Sequence, residues 1–198
     1  MLVSYRGLRF YVSSLVYKPS DDTFLLADCI PSKVDGRVLD LGTGCGILAV
    51  LAALRGASHV VGVDINPHAM ICLLGNARAH GVLDRVEFRL GSLFQPLKRG
   101  ERFNLILFNP PYLPVEWSGR LEDAAWAGGR RGRRLIDPFI SEVGRWLTPG
   151  GRALMVQLEK NGIDESLRRA EEAGLSARVV SERKLFFERL VVLELSRR

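Results

Sequence analysis

A tetrapeptide at residues 109–112 has the composition of a site for a planar nitrogen. Asn109, Pro110, Pro111 and Tyr112 directly follow the apolar run 103–108, which is typical of a buried strand. The Asn109 side-chain oxygen and the Pro110 carbonyl can each accept one N–H of an NH2 group. The proline pair fixes the backbone that carries this carbonyl, and Tyr112 offers an aromatic face. These residues therefore predict a catalytic site that holds an amide or an exocyclic amine.

A glycine-rich turn predicts a second ligand site at the end of an earlier strand. Glycines stand at positions 42, 44 and 46, between the short apolar strand 37–41 and a helix that runs from about 47 to 55. Such a turn lets a ligand approach the backbone closely. The dinucleotide fingerprint GxGxxG requires its third glycine where this chain has Ile47, so binding of a nicotinamide dinucleotide is disfavoured.

The stretch from Asp40 to Gly44 instead resembles the first motif of S-adenosylmethionine-dependent methyltransferases, Asp/Glu-x-Gly-x-Gly. In a site of this kind Asp40 faces the ammonium group of the cofactor, and Gly42 and Gly44 leave room for its methionine part. Asp64 ends the following strand, where a carboxylate can accept hydrogen bonds from both ribose hydroxyls. We therefore assign Asp64 and the adjacent Ile65 to the ribose.

The elements that must position these residues alternate between strand and helix. This order predicts an α/β fold with a doubly wound, mostly parallel sheet, in a single domain of residues 1–198 with an N-terminal arm at 1–19. Further strands are expected at 60–64, 86–90 and 152–158, with Thr148 to Gly151 as a turn, and a long functional loop at 113–133. The helices are expected after Ser20, from Pro67, over 135–147 and over 163–173.

The last two strands, 175–182 and 185–195, are joined by a connection too short for a parallel crossover, so they must pair antiparallel. A parallel sheet with one antiparallel strand near its C-terminal end is the arrangement of class I methyltransferases. A short hairpin is expected at 8–16.

Composition and charge limit the classes of function. The net charge is +6, and only five of the 28 basic residues are lysine. An arginine excess invites a nucleic-acid-binding interpretation, but a GC-rich genome or a heat-adapted host produces the same bias. No apolar run has the roughly 18–20 residues of a membrane span, and Arg6 and Arg9 interrupt the N-terminal stretch, so a cytoplasmic protein is expected. The three cysteines and three histidines show no ligand cluster, and neither a disulfide framework nor a metal site is expected.

Three stretches together resemble the HemK-type protein N5-glutamine methyltransferases, which modify the Gly-Gly-Gln loop of translation release factors. Residues 16–26 resemble the Tyr-x-Pro-x-x-Asp-Thr-Phe opening of the short archaeal and eukaryotic branch, and 109–112 match the Asn-Pro-Pro-Tyr motif. Residues 125–133 resemble its Trp-Ala-Gly-Gly-x-x-Gly-Arg loop.

The resemblance implies that S-adenosylmethionine is the cofactor and that a release factor is the substrate. It places Thr23, Asp40, Gly42, Asp64, Ser92 and Leu93 at the cofactor, with Asn109 also in contact. Ser92 stands where many methyltransferases use Asp to contact the adenine amine, and a serine hydroxyl can also form this hydrogen bond. Asn109 and Tyr112 are expected to hold the glutamine amide, and Trp126 to close over the substrate.

The short branch works with a small zinc-binding activator subunit, and the sequence permits such a partner. Strand 86–90 is expected at an edge of the sheet, where an added strand can pair. The preceding helix carries six consecutive residues, 69–74, that are apolar, which is wider than one buried stripe. A fully buried helix is the alternative explanation.

Three other functions remain open at this point. An adenine-N6 DNA or RNA methyltransferase uses the same catalytic motif, although 198 residues leave little room for a target-recognition region. Lysine methylation is a further possibility, but a deprotonated lysine amine does not need the motif. A cofactor-binding scaffold without activity would not need Asn109 and Tyr112.

Overall fold

The structure of the protein, a computed structural model, describes residues 1–121, 123–186 and 188–198. Glu122, in the loop expected at 113–133, and Phe187, in the expected last strand, lie outside the described residues. The strands are β1 Leu2–Tyr5, β2 Leu8–Tyr11, β3 Arg37–Leu41, β4 His59–Asp64, β5 Val86–Leu90, β6 Phe103–Phe108, β7 Leu147–Leu158, β8 Leu175–Lys184 and β9 Arg189–Arg197. The α-helices are α1 Asp21–Cys29, α2 Ile47–Leu54, α3 Pro67–Ala79, α4 Ile136–Glu142 and α5 Ile163–Glu172.

Seven of the described strands form one sheet, in the order β5-β4-β3-β6-β7-β9-β8. The strands from β5 to β7 are parallel, and β9 lies antiparallel to both β7 and β8. This confirms the predicted doubly wound α/β sheet with one antiparallel strand near its C-terminal end. The chain moves outward from β3 to β5 and then returns to place β6 on the other side of β3. Ligands of such sheets bind where the strand order reverses, at the carboxyl ends of β3 and β6.

Helix boundaries follow local signals. Helix α3 begins with Pro67, and the Asn66 side chain accepts the N–H of His68 at 3.0 Å, which satisfies one free donor of the first turn. Helix α1 begins after Ser20 as expected, although the Ser20 side chain makes no capping hydrogen bond. Gly174, with a φ of +75°, follows the end of α5 in the left-handed conformation that terminates many helices.

Four expected boundaries were wrong. Thr148 to Gly151 do not form a free turn, because they lie within β7, opposite an irregularity in the register with β6. The helix expected over 135–147 ends at Glu142 and continues as a 3-10 turn over Val143–Trp146. The N-terminal hairpin spans residues 2–11 rather than 8–16, and the last strand begins at Arg189 rather than 185. Local propensity does not fix the ends of the strands, since pairing with a neighbouring strand decides them.

The core lies on both faces of the sheet. One buried cluster joins β1 and β2 with the first three helices, and the other joins α4 and α5 with the opposite face. Phe10 and Val12 of the N-terminal segment are fully buried. The buried Asn76 side chain of α3 bonds both the N–H and the carbonyl of Tyr11 and also the carbonyl of Cys45. This side chain therefore joins the hairpin to the glycine-rich turn. In the described part of the chain, none of the helices is long and apolar enough to cross a membrane.

The third glycine of the turn is required by packing between helices. Gly46 has a φ of +81°, and a Cβ there would stand 2.3 Å from Leu73 Cδ1 and 2.9 Å from Leu73 Cα. Gly46→Ala is therefore expected to lower the free energy of unfolding by roughly 2–4 kcal/mol, since it adds left-handed strain to overpacking. Urea denaturation measures this change.

The matched control is Gly75→Ala in the neighbouring exposed part of α3. A Cβ at Gly75 would meet no atom within 4 Å. The change is expected to raise the free energy of unfolding by roughly 0.5–1 kcal/mol, because alanine favours a helix interior over glycine. Equal effects of the two substitutions would contradict this explanation.

Candidate active site

The carboxyl ends of the central strands open onto a cavity of about 530 Å³. It brings together residues that lie far apart in the sequence, from the start of α1, the glycine-rich turn, the ends of β4 to β6 and the loop after β6. The residues predicted for cofactor and substrate that line it are Thr23, Gly42, Gly44, Asp64, Ile65, Ser92, Leu93, Asn109, Pro110, Pro111, Tyr112 and Trp126. Asp40 does not line the cavity and lies fully buried behind the turn.

The Asp40 carboxylate is only half satisfied. Its Oδ2 accepts hydrogen bonds from the Thr43 hydroxyl at 2.7 Å and the Ala49 N–H at 3.2 Å, whereas Oδ1 has no partner among the described residues. Burial raises the pKa of Asp40 to about 7, against these two hydrogen bonds, which act to lower it. A buried acceptor without a donor is costly, so this oxygen suits a cationic or hydrogen-bonding ligand.

Asp64 at the end of β4 fixes the glycine-rich turn. One of its carboxylate oxygens accepts the N–H of Gly44 at 2.8 Å, and the other accepts the N–H of Asn66 at 2.9 Å. Burial raises the pKa of Asp64, and the backbone hydrogen bonds oppose that rise. Each oxygen accepts one of these two bonds, so a second acceptor position remains on both for a pair of hydroxyl groups.

Leu93 adopts a backbone conformation that is rare for its residue type. Its φ is +49°, in the left-handed region where a side chain with a Cβ is strained by roughly 1–2 kcal/mol. Ser92 and Leu93 form the wall of the cavity after β5. Strain of this kind is commonly found beside ligands.

Asn109 follows β6 and lines the cavity. Its Nδ2 donates to the Thr23 hydroxyl oxygen at 3.2 Å, and its buried Oδ1 has no partner among the described residues. The Tyr112 hydroxyl donates to the Asp22 carboxylate at 2.8 Å. Burial and the nearby charge of Asp22 both raise the pKa of Tyr112, so this side chain stays a neutral phenol. The site can therefore offer hydrogen-bond acceptors beside an aromatic ring.

The loop of Trp126 folds back on the catalytic motif. The Leu113 N–H donates to the Trp126 carbonyl at 3.0 Å, and the Gly128 N–H donates to the Leu113 carbonyl at 2.9 Å. Gly132 has no room for a side chain, because a Cβ there would stand 2.1 Å from the Tyr112 carbonyl oxygen. The glycines of this stretch are thus explained by contact between two backbones.

Two residues that hold this loop were not assigned from the sequence. The Asn161 side chain donates to the carbonyls of Tyr112 and Arg131, at 2.9 and 3.2 Å. Arg133 is 4% exposed and donates to the carbonyls of Asn161 and Gly162 and to Asp137. The loop motif at residues 125–133 could have identified Arg133 from the sequence, whereas no local pattern singles out Asn161.

Arg133→Lys is expected to lower the free energy of unfolding by roughly 2–4 kcal/mol, because a lysine cannot reproduce the planar set of donors and leaves Asp137 and the carbonyls unsatisfied. Urea denaturation measures it. Arg130→Lys in the same loop is the control, since Arg130 is exposed and its replacement should change stability little. Similar losses from both variants would show that Arg133 does not hold the loop.

Comparison with known proteins agrees with this geometry. Residues 18–186 match the model of the methyltransferase small domain. The chain is 31% identical over 196 residues to a putative protein N5-glutamine methyltransferase of Methanocaldococcus jannaschii, with 98% of each chain covered. It is 33% identical over 194 residues to methyltransferase HEMK2 of Homo sapiens, covering 92% of this chain and 90% of the human protein.

A solved structure shows the same fold. The E. cuniculi Mtq2–Trm112 complex, described as responsible for methylation of the translation termination factor eRF1, contains a chain that superposes with a TM-score of 0.71 at 24% identity. The match covers 93% of this chain and 99% of that one. The sequence identities to the two relatives, which extend over nearly the whole chain, confirm the expected family. The solved structure agrees in fold. This chain belongs to the family of protein N5-glutamine methyltransferases.

Proposed function

We propose that this protein transfers a methyl group from S-adenosylmethionine to the side-chain nitrogen of the glutamine in the Gly-Gly-Gln segment of a translation release factor. The observation that carries the proposal is the buried Oδ1 of Asn109, which has no partner and belongs to a residue lining the cavity. The similarity to the Methanocaldococcus glutamine methyltransferase supports glutamine as the target. The similarity in fold to the E. cuniculi enzyme that methylates eRF1 supports a termination factor as the substrate.

The residues around the cavity fit the cofactor. The unpartnered Oδ1 of Asp40, buried behind the glycine-rich turn, would suit its ammonium group, and the free acceptor positions of Asp64 would suit two ribose hydroxyls, with Ile65 beside them. Gly42 and Gly44 would leave space for the methionine part, Thr23 and Asn109 would contact it, and Ser92 and Leu93 would contact the adenine. The bound cofactor supplies a methyl group activated by a positively charged sulfur.

The substrate nitrogen needs help that Asn109 and Tyr112 can give. An amide nitrogen is a poor nucleophile, because its lone pair is delocalised into the carbonyl. The Asn109 Oδ1 and the Pro110 carbonyl would each accept one of its N–H groups, which holds the nitrogen and increases its electron density. Pro110 and Pro111 fix that carbonyl, and the Tyr112 ring gives the amide plane a surface. Catalysis then rests on positioning and hydrogen bonding.

The protein substrate would enter where Trp126 lines the cavity. Trp126 is 38% exposed and lies in the loop held by Arg133, so it can cover a bound glutamine without refolding of the core. The exposed Arg130 and Arg131 lie in the same loop, and although Arg131 pairs with Glu165, their charge would favour an acidic or RNA-bound partner. We place this activity in the cytoplasm.

A small zinc-binding activator subunit is the second proposed partner, paired along β5. Strand β5 lies at one edge of the sheet, with its outer side free of other described strands. The wide apolar run of α3 is only partly buried, since Met70 is 43% and Ile71 63% exposed, and Leu90 of β5 is 59% exposed. These exposed side chains exclude the alternative explanation that α3 carries its apolar run because the helix is fully buried. Trm112 in the E. cuniculi complex supports a partner of this kind.

The transfer is tested with labelled S-adenosylmethionine and a purified cognate release factor, with and without the candidate subunit. Label is expected on the wild-type factor and not on a factor whose Gly-Gly-Gln glutamine is replaced by alanine. Asn109→Ala should lower turnover by roughly 100-fold or more, because the acceptor for the substrate N–H is lost. Its affinity for the cofactor should change little, which calorimetry measures.

The same experiment separates the alternatives. Label on adenine-containing DNA alone would overturn the glutamine assignment and favour adenine methylation. Label on a lysine side chain of the protein substrate would also overturn the glutamine assignment and favour lysine methylation. A monodisperse chain whose activity does not respond to the subunit would overturn the proposed partner.

Cofactor affinity should depend on pH through Asp40. The carboxylate must be ionised to pair with an ammonium group, and burial raises its pKa to about 7. The affinity for S-adenosylmethionine is therefore expected to fall about tenfold between about pH 7.5 and about pH 6, as Asp40 gains a proton. Calorimetric titration across this range measures it. The Asp40→Asn variant should bind S-adenosylmethionine weakly at both pH values. If its affinity depended on pH as strongly as that of the wild-type protein, the role of Asp40 would be contradicted.

A further inference from the structure

The Asp22 carboxylate binds three hydroxyl groups of the active site. Asp22 lies in the first turn of α1 and is 3% exposed. Its Oδ2 accepts from the Tyr17 hydroxyl at 3.0 Å and the Tyr112 hydroxyl at 2.8 Å. Its Oδ1 accepts from the Thr23 hydroxyl at 3.1 Å and from the Thr23 N–H. The sequence marks Asp22 only as a residue of a helix start and of a family motif.

These contacts determine which way the Asn109 carboxamide faces. A carboxylate can only accept hydrogen bonds, so the single proton of the Thr23 hydroxyl is used in the bond to Asp22. The Thr23 oxygen can then only accept from Asn109, which must turn its NH2 group toward Thr23. The remaining Asn109 oxygen is the buried one without a partner. Without Asp22, the Thr23 hydroxyl could donate to Asn109, and the opposite orientation would place an NH2 group at the substrate.

Asp22 also positions the ring of Tyr112. Its hydroxyl is held by the same carboxylate, which fixes how far the ring extends along the cavity wall. Burial raises the pKa of both Tyr17 and Tyr112, and the charge of Asp22 adds to this, so both stay donors.

A purely structural role explains Asp22 poorly. In the described part of the chain, no basic side chain forms an ion pair with Asp22, whereas its exposed neighbour Asp21 pairs with Arg183. A buried acid balanced by three hydroxyls and one backbone N–H, without a basic partner among the described residues, is costly to fold. All three of these hydroxyls belong to residues that line the cavity.

We infer that Asp22 is a positioning residue, which orients the Asn109 carboxamide through Thr23 and holds the Tyr112 ring through its hydroxyl. This inference rests on the proposed function. It differs from the assignments above because Asp22, which also lines the cavity, would act through Asn109 and Tyr112 rather than on the reacting atoms.

The test is a double-mutant cycle of kcat for glutamine methylation, with Asp22→Ala, Asn109→Asp and the double variant. Asp22→Ala is expected to lower kcat roughly 100-fold, as a misplaced catalytic group does. In the Asn109→Asp background, Asp22→Ala should lower kcat only about tenfold or less. A carboxylate at position 109 presents an acceptor in either orientation, and the freed Thr23 hydroxyl can donate to it. An equal loss in both backgrounds overturns the inference.

Two further variants control for charge and folding. Asp21→Ala removes an acid from the same helix turn and should leave kcat within about twofold. Asp22→Asn keeps the oxygen that accepts the Thr23 N–H, so only the hydrogen bonds from the tyrosine hydroxyls are weakened. It should lower kcat roughly tenfold. In a Tyr112→Phe background, where the Tyr112 hydroxyl is already absent, it should lower kcat little further. A loss from Asp21→Ala as large as that from Asp22→Asn overturns the inference, and Asp22→Leu, which also removes both acceptors, replaces the alanine variant if that variant does not fold.

A measurement without substrate separates this inference from the proposed function. The side-chain NH2 resonance of Asn109, assigned by its disappearance in Asn109→Asp, is expected to shift in Asp22→Ala and stay unchanged in Asp21→Ala. An unchanged resonance in folded Asp22→Ala overturns the inference even where the wild-type protein methylates the release factor. If the wild-type protein labels no glutamine, the function fails, while the resonance still decides the role of Asp22.

Discussion

Two buried oxygens, Asp40 Oδ1 and Asn109 Oδ1, accept no hydrogen bond from any described residue and lie at the ends of neighbouring strands. Asp40 is paired with Leu107 and Leu41 with Phe108 in the register of β3 and β6, so Asn109 lies two positions beyond the partner of Asp40 on the neighbouring strand. A folded protein rarely leaves such acceptors unsatisfied, since each costs about 1–3 kcal/mol. The surrounding residues keep both oxygens away from water, and the proposed ligands would supply the missing donors.

The sheet order makes this arrangement possible. Because the chain returns to place β6 beside β3, the glycine-rich turn after β3 and the tetrapeptide after β6 share one edge. Asn109 thereby borders the cavity of about 530 Å³, while Asp40 lies buried behind the glycine-rich turn that lines the same cavity. In the proposed function, two adjacent strands would hold the positively charged methyl donor and the weak nitrogen nucleophile.

Parts of the chain that follow the catalytic motif stabilise its backbone. Asn161 bonds the Tyr112 carbonyl, and Gly132 packs against the same carbonyl without room for a Cβ. From the other side, α1 supplies Asp22 and Thr23 to the side chains of Tyr112 and Asn109. The motif is thus held at its backbone by a C-terminal element and at its side chains by an N-terminal one, which explains why its geometry depends on the complete fold.

The sequence alone determined the fold class, the family and many of the residues that line the cavity, because these depend on local patterns. Alternating apolar runs, glycines that need a positive φ, and a proline pair after a strand are each readable within a few residues. Strands β3, β5 and β6 were predicted with their observed bounds for the same reason. Tertiary structure decided what those patterns cannot express: the extension of β7 through Thr148 to Gly151, the hairpin packed on α3, and the hydrogen bonds of Asp22 and Asn161. Each of these rests on contacts between distant segments, and the orientation of one carboxamide follows from a carboxylate 87 positions earlier in the chain. No local propensity encodes such a contact, since its energy exists only once both segments are in place.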